Sequence, residues 1–309
     1  MSTHLLHVVW AIGAFMAFGT TAVSVIVRTD PARHRDLWAR TLSWFPVCIF
    51  LIGTLFLGRA LFTVGFVWVS AHALFELFRA SPRPFSRRVT ATSYALIGLS
   101  AALLFAEQWL AAMLVLPIAS LTLLPLCLVW SEGVGEFGAR FRRLLLWVML
   151  GAWSLFALPT LAWLPIDVGA HGWQGLVLFL VVTTQISDLM QYVVGKIAGR
   201  RPLAPRISPG KTWEGAIGGS VIAGALGTLL GAHITPFGAT PGFALAIAFC
   251  VLGVLGDLAV SGIKRSLGIK DLGALLPGFG GLLDRVDSLV FAAPLFLFFV
   301  LATRLMPGA

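Results

Sequence analysis

The stretch "GDLAVSGIKRSLGIKDLGALLPGFGGLLDRVDS", residues 256–288, joins two long apolar segments, and this alternation of apolar segment and charged loop decides the fold. Each flanking segment, 240–262 and 289–306, is close to the ~20 apolar residues that a helix needs to cross a bilayer. The whole chain of 309 residues is 58% hydrophobic and 11% charged. So few charges cannot cover the surface of a soluble protein. The sequence therefore predicts an all-α, polytopic integral membrane protein.

Other apolar segments of similar length precede this pair. We predict about ten transmembrane helices, at 5–27, 42–58, 60–79, 89–108, 110–130, 144–165, 173–195, 216–236, 240–262 and 289–306. The first segment is too long for the apolar core of a signal peptide and lacks a small-residue cleavage site. We therefore interpret it as a membrane helix.

The basic residues fall in every second loop. Of the 22 Lys and Arg residues, 20 lie in the loops 28–40, 79–88, 131–143, 196–215 and 264–288. The two exceptions are Arg59 and Arg304. Because basic loops stay in the cytoplasm, both termini are predicted outside, with these loops on the cytoplasmic side of the inner membrane. The net charge of +9 then reflects topology and attraction to anionic lipid headgroups, and nucleic acid is not an expected partner.

The composition divides the chain into three regions. Residues 1–40 hold the additional first helix and a basic loop, 41–182 hold helices for packing and anchoring, and 183–309 form the predicted catalytic region with its cytoplasmic loops. In the middle region, Glu76 in "ALFELFRA" is an unusual charge near the end of a span. We interpret it as the partner of Arg79, three residues further along the helix.

Beyond residue 183, carboxylates and glycines enter the spans. Asp188 and Asp257 each lie in the second half of a predicted helix. An intramembrane carboxylate costs several kcal/mol unless it is paired, solvated or bound to a cation, so both are expected to face a cavity. The eighth span has two pairs of glycines with small-xxx-small spacing, which predict close helix packing: Gly215 with Gly219, and Gly227 with Gly231.

The loop "GKIAGRRPLAPRISPGKTWEG", residues 195–215, combines cations, hydroxyls and glycines. Its "GKT" does not make a nucleotide-binding P-loop, because Pro205 stands where that motif needs its first glycine. Ser208, Lys211 and Thr212 still provide the donors that phosphates require. We name residues 270–288 the glycine loop.

The glycine loop and the helix before it carry carboxylates and cations together. Asp257, Ser261 and Lys264 follow at i, i+4 and i+7, which places them on one helix face. Carboxylates without nearby His or Cys suit a hard cation such as Mg²⁺, and the basic residues suit phosphates. This pattern indicates phosphoryl transfer at the membrane surface, although the charges also allow simple mutual neutralisation. The further carboxylates of the loop are Asp271, Asp284 and Asp287.

These motifs resemble the phosphatidate cytidylyltransferase family, the CDP-diacylglycerol synthases. The family pattern S-x-x-K-R-x4-K-D-x-G-x2-L-P-G-H-G-G-x-x-D-R-x-D is matched in register from Ser261 to Asp287, and "SPGKTWEG" at 208–215 is similar to a second family motif. A third motif is matched in spacing by Asp188, Tyr192, Gly195 and Gly199, with Leu189, Met190 and Gln191 in place of small residues.

The resemblance implies an enzyme that converts CTP and phosphatidic acid into CDP-diacylglycerol and pyrophosphate with Mg²⁺. It leaves open a second, monovalent cation and a homodimer, and membrane lipids are expected contacts. The implied metal ligands are Asp257 and Asp284 first, then Asp188 and Asp287. The implied catalytic residues are Lys264, Arg265, Lys270, Asp271 and Arg285. The implied substrate-binding residues are Ser208, Lys211, Thr212, Ser261, Gly278, Gly280 and Gly281.

One departure from the pattern concerns Phe279, which stands where the family has histidine. Phenylalanine can neither accept a proton nor donate a hydrogen bond, so another group must perform any polar task of that histidine. Two alternatives therefore stay open. The acceptor is a different lipid phosphate or a polyprenol, or the protein is a noncatalytic lipid-binding or transport paralogue.

Overall fold

The computed structural model describes residues 13, 20, 35–165, 172–273, 275 and 280–305. The predicted first span, 5–27, lies outside the described residues except for Gly13 and Thr20. Gly278 and Phe279 of the glycine loop also lie outside them.

Helices dominate the described residues. They are α1 (Arg35–Phe56), α2 (Arg59–Arg79), α3 (Arg87–Phe105), α4 (Trp109–Leu121), α5 (Leu123–Glu132), α6 (Phe137–Trp147), a π-helical segment (Val148–Trp153), α7 (Ser154–Trp163), α8 (Gly172–Ala198), α9 (Trp213–Ile234), α10 (Ala239–Ser266), α11 (Leu283–Val286) and α12 (Leu289–Leu305). Two short antiparallel strands, β1 (Pro202–Ala204) and β2 (Ser208–Thr212), form a hairpin before α9. We name residues 196–215, which contain it, the hairpin loop.

Seven helices in the described part of the chain are long and apolar enough to cross a membrane. They are Arg59–Arg79, Arg87–Phe105, Trp109–Glu132, Phe137–Trp163, Gly172–Ala198, Trp213–Ile234 and Ala239–Ser266. Two shorter apolar helices, Phe45–Phe56 and Leu289–Thr303, coincide with the predicted second and last spans. The all-α membrane architecture is thus confirmed, whereas ten spans and the sides of the termini stay predictions.

The core is centred on α7, all ten residues of which are buried. This helix packs against α2 and α12. Phe249 of α10 packs edge-on against Phe179 of α8, with ring centroids 5.3 Å apart, and against Phe296 of α12, at 4.9 Å. Lipid tails are as apolar as these side chains, so close fit rather than hydrophobicity holds such helices together.

The contact between α8 and α9 depends on glycines. A Cβ atom on Gly219 would lie 2.4 Å from the backbone nitrogen of Gln191, and one on Gly215 would lie 2.7 Å from its carbonyl oxygen. Further along α9, a Cβ on Gly227 would meet Thr183, and one on Gly231 would meet Phe179, at 2.7 and 2.8 Å. The predicted close packing of this span is confirmed, and it fixes the hairpin loop relative to α8.

A polar cluster joins the ends of α3, α5 and α6 on the side of the basic loops. Arg140 Nε donates to Glu132 Oε2 at 2.5 Å, and its Nη2 donates to the Pro84 carbonyl at 3.1 Å. Glu132 Oε1 accepts from the Ser86 backbone N–H at 2.6 Å. These bonds hold the ends of the three helices together. None of them involves the glycine loop.

We expect Gly219→Ala to destabilise the protein by about 1–3 kcal/mol, because the new methyl group would collide with backbone atoms that cannot rotate away. The measurement is the midpoint of thermal unfolding in a fixed detergent. Gly98→Ala is the matched control, since a Cβ there meets nothing within 4 Å. Equal midpoints for the two variants would contradict the close contact between α8 and α9.

Candidate functional site

The hairpin loop is tied to the start of α9. Thr212 Oγ1 accepts from the Gly215 backbone N–H at 3.1 Å, which caps the helix. Glu214 Oε2 accepts from the backbone N–H groups of Arg200 and Arg201, at 3.0 and 3.1 Å. The hydroxyl oxygen of Thr212, predicted to bind substrate, therefore already serves as a helix cap, while Ser208 lies partly buried at the start of β2.

The hairpin loop also contacts α10. Lys211 Nζ lies 2.5 Å from Asp257 Oδ2, and Asp257 Oδ1 accepts from Ser261 Oγ at 3.0 Å. Near the end of α10, Arg265 Nε donates to the Ile207 carbonyl at 3.2 Å. The loops 196–215 and 264–288, which are predicted on the same side of the membrane, thus converge at Ile207 and Arg265. The predicted shared helix face of Asp257 and Ser261 is confirmed. Which side of the membrane they occupy stays a prediction.

Two more carboxylates, Asp188 and Asp287, lie close enough to Asp257 to interact with its charge. The Ser288 side chain lies near enough to Asp188 to interact with its carboxylate. Asp287 follows α11 and precedes the last span; removal from water raises its pKa well above the usual range, and the charges of Asp257 and Asp188 raise it further. Three elements thus bring carboxylates together where an added cation would relieve their repulsion.

The chemistry of this site fits Mg²⁺, although it is not a preformed metal cage. Within the described ranges, no three His, Cys, Asp or Glu residues lie close enough together to hold a metal ion. Mg²⁺ usually binds through one or two carboxylates and completes its shell with water and substrate phosphates. Asp257 with Asp188 or Asp287 meets that need, and Lys211 at present occupies one oxygen of Asp257.

Asp284 has a different environment from the other three carboxylates. Its Oδ1 accepts from Lys264 Nζ at 2.8 Å, and its Oδ2 accepts from the backbone N–H groups of Leu272 and Gly281 at 3.0 and 2.9 Å. The side chains of Asp284 and Lys264 are 3% and 10% exposed, so this pair lies away from water. Asp284 therefore holds together the two parts of the glycine loop at Leu272 and Gly281. Its role as a metal ligand stays a prediction.

Glu76 at the end of α2 also binds this loop. Its Oε1 accepts from the Leu282 backbone N–H at 2.7 Å and its Oε2 from that of Leu283 at 3.0 Å, while His72 Nε2 lies 3.4 Å from Oε1. The predicted pairing with Arg79 is wrong, because Glu76 is buried and faces the loop whereas Arg79 is exposed. Sequence spacing along one helix gave no information about this contact, which spans more than 200 residues.

The remaining predicted residues lie around this network. Lys270 and Asp271 are exposed at the start of the glycine loop. Gly280 has a φ of +84°, and a Cβ on it would lie 2.9 Å from both Asp271 Cβ and Asp284 Oδ2, so the position requires glycine. The charge of Arg285 acts on Asp188.

A family model and several known proteins are similar to this chain. A family model described as "Cytidylyltransferase family" matches residues 38–303. The chain is 42% identical over 156 residues to "Uncharacterized protein YnbB" of Escherichia coli, which covers 50% of this chain and 51% of that protein. It is 45% identical over 123 residues to a "Phosphatidate cytidylyltransferase" of Brucella abortus, covering 40% of this chain and 46% of that protein.

A longer match is with a "Phosphatidate cytidylyltransferase" of Pseudomonas aeruginosa, 39% identical over 217 residues, covering 64% of this chain and 72% of that protein. By contrast, the chain spans about half the length of the relatives from Escherichia coli and Brucella abortus.

We expect cysteines at positions 207 and 265 to be joined by a short bis-maleimide, because Ile207 and Arg265 are in contact. The experiment uses Ile207→Cys with Arg265→Cys after the native Cys48, Cys127 and Cys250 are replaced by alanine. Mass spectrometry of the linked peptides measures the yield. The control pair combines Ile207→Cys with Glu107→Cys. Glu107 follows the C-terminal end of α3, whereas the basic loop 79–88 lies at the N-terminal end of that helix. Similar yields from both pairs would contradict the convergence of the basic loops.

Proposed function

Because the chain belongs to the cytidylyltransferase family, we propose that it is a nucleotidyltransferase that converts CTP and phosphatidic acid into CDP-diacylglycerol and pyrophosphate. The observation that carries this proposal is the meeting of Lys211 with Asp257. It joins the proposed phosphate-binding residues of the hairpin loop to the carboxylate of α10. The site would open to the cytoplasmic side of the inner membrane, where CTP is dissolved and the lipid phosphate is within reach.

Asp257, with either Asp188 or Asp287, would hold Mg²⁺, whose charge neutralises the phosphates of CTP. Lys211 would then exchange its bond with Asp257 for one with a phosphate oxygen. This exchange keeps the ammonium paired in both states, so neither state leaves an isolated charge away from water. Asp284 would bind the cation only if Lys264 released Oδ1, which makes it the less suitable ligand.

In the reaction, an oxygen of the lipid phosphate attacks the α-phosphorus of CTP. A new P–O bond forms, the bond between the α-phosphorus and the bridging oxygen breaks, and pyrophosphate leaves with the electron pair. No protein nucleophile is needed, because the lipid phosphate is already an anion. Lys264, Arg265 and Arg285 would stabilise charge on the transferring group and the leaving pyrophosphate.

A different acceptor is the second candidate, and the wall beside Asp188 favours considering it. Leu189 and Gln191 replace smaller residues of the family pattern; Leu189 is 38% exposed, and Gln191 Nε2 donates to Ser187 Oγ at 2.6 Å. Larger side chains here would change the space next to the reacting phosphates. Radiolabelled CTP offered with phosphatidic acid, other lipid phosphates and polyprenyl phosphate distinguishes the acceptors. Nucleotide binding without pyrophosphate release from any of them would indicate the noncatalytic alternative.

We expect purified protein to release pyrophosphate from CTP when phosphatidic acid and Mg²⁺ are both present. Asp257→Asn should lower the rate by about a hundredfold or more, because the amide keeps the shape but removes the charge that a divalent cation requires. Glu107→Gln is the matched control, since Glu107 pairs with Arg59 far from this site. A rate for Asp257→Asn near that of the control at limiting Mg²⁺ would remove Asp257 from the metal site.

A further inference from the structure

The glycine loop is held by carboxylates from two distant parts of the chain. Asp284 binds the backbone at Leu272 and Gly281, and Glu76 binds it at Leu282 and Leu283. We infer that Glu76 is a positioning residue of the active site, which sets the place of the loop through its peptide N–H groups. The inference rests on the proposed function for its effect on turnover, but the contact itself can be tested without it.

The loop approaches Glu76 closely at two glycines, where a side chain would force Glu76 to move. A Cβ on Gly281 would lie 2.5 Å from Glu76 Oε2, and one on Gly273 would lie 2.7 Å from Oε1. Gly273 lies in the first part of the glycine loop and Gly281 in its second part, so the carboxylate packs against both parts. Glu76 and the glycines therefore fit one another as a unit, which a chance ion pair would not require.

The negative charge of Glu76 suits this place for a physical reason. The side chain is 3% exposed, and a carboxylate without water must accept hydrogen bonds from the protein. Each of its oxygens accepts one peptide N–H. An amide at this position would turn an N–H₂ group toward one of these donors, and that peptide would lose its acceptor.

The position of the loop affects the proposed chemistry because proposed site residues follow Leu283 closely in the chain. Leu283 is followed directly by Asp284, which binds Lys264, and Asp287 lies one helical turn further on. A shift of the backbone at Leu282 and Leu283 would therefore move the Lys264–Asp284 pair and Asp287 relative to Asp257. Catalytic groups must be placed accurately to act. Glu76, which belongs to the middle region of the chain, would therefore affect the turnover of an active site built from the last region.

We expect Glu76→Gln to raise the hydrogen-exchange rate of the amide at Leu282 or Leu283 by about tenfold or more, because that amide loses its acceptor. Exchange is followed by mass spectrometry on peptides of the full chain in detergent. Glu132→Gln is the matched control, because Glu132 is also a carboxylate in a poorly exposed polar cluster but binds Arg140 and Ser86 instead. Unchanged protection of both amides in folded Glu76→Gln would overturn the inference.

Kinetics provide the second readout. We expect Glu76→Gln to lower kcat by about tenfold to a hundredfold while KM for CTP changes less than about threefold, because positioning acts on the transition state. Glu132→Gln should leave kcat of the folded protein unchanged. Equal kcat for Glu76→Gln and native protein would overturn the inference. If native protein shows no turnover, the proposed function fails, and the exchange experiment still decides whether Glu76 holds the loop.

A pair of substitutions keeps the test decisive if Glu76→Gln fails to fold. Gly281→Ala should disturb the same amides, because its methyl group would collide with Glu76. Adding Glu76→Ala removes the obstacle, so we expect the double variant to be less impaired in thermal stability than the sum of the single changes. Strict additivity of the two changes would show that the carboxylate and the loop do not act together, and it would overturn the inference.

Discussion

A carboxylate removed from water must be hydrogen-bonded or paired, and this constraint organises the basic end of the structure. Glu76 and Asp284 meet it by binding peptide N–H groups, and Asp257 meets it by binding Lys211 and Ser261. Each solution connects elements that are far apart in sequence. The polar contacts that satisfy the charges are therefore also the contacts that shape the glycine loop and attach the hairpin loop to α10.

These contacts divide the acidic residues into two kinds. Glu76 and Asp284 accept hydrogen bonds from the backbone, and such bonds cannot be exchanged without moving the loop. Asp257 is bound by a lysine on a side chain that can rotate, and it is 25% exposed. Residues of the first kind suit a structural task, whereas those of the second kind suit a site whose partners change when an anion and a cation arrive together.

Apolar segment length and loop charge were enough to predict the membrane class and most helix positions. Segment length follows from the thickness of the bilayer, and loop charge follows from the retention of basic loops in the cytoplasm. The glycine pairs of α9 were also predictable, since they follow a local spacing rule. The hairpin formed by β1 and β2 was missed, because strands of three and five residues containing proline show no alternation of apolar and polar residues. The contacts of Glu76 were missed because its partners are backbone N–H groups, and every residue type except proline has such a group.

The complete burial of α7 has a consequence for how the protein is made. A helix with all ten residues covered cannot be left against lipid in the finished structure, yet its neighbour α12 is synthesised roughly 130 residues later than α7. While the ribosome is still working, α7 must wait in the membrane beside α2 with one flank unfilled. The described bundle closes only when α12 arrives, so the aspartates of α8 and α10 acquire their final surroundings only after α12 has been synthesised.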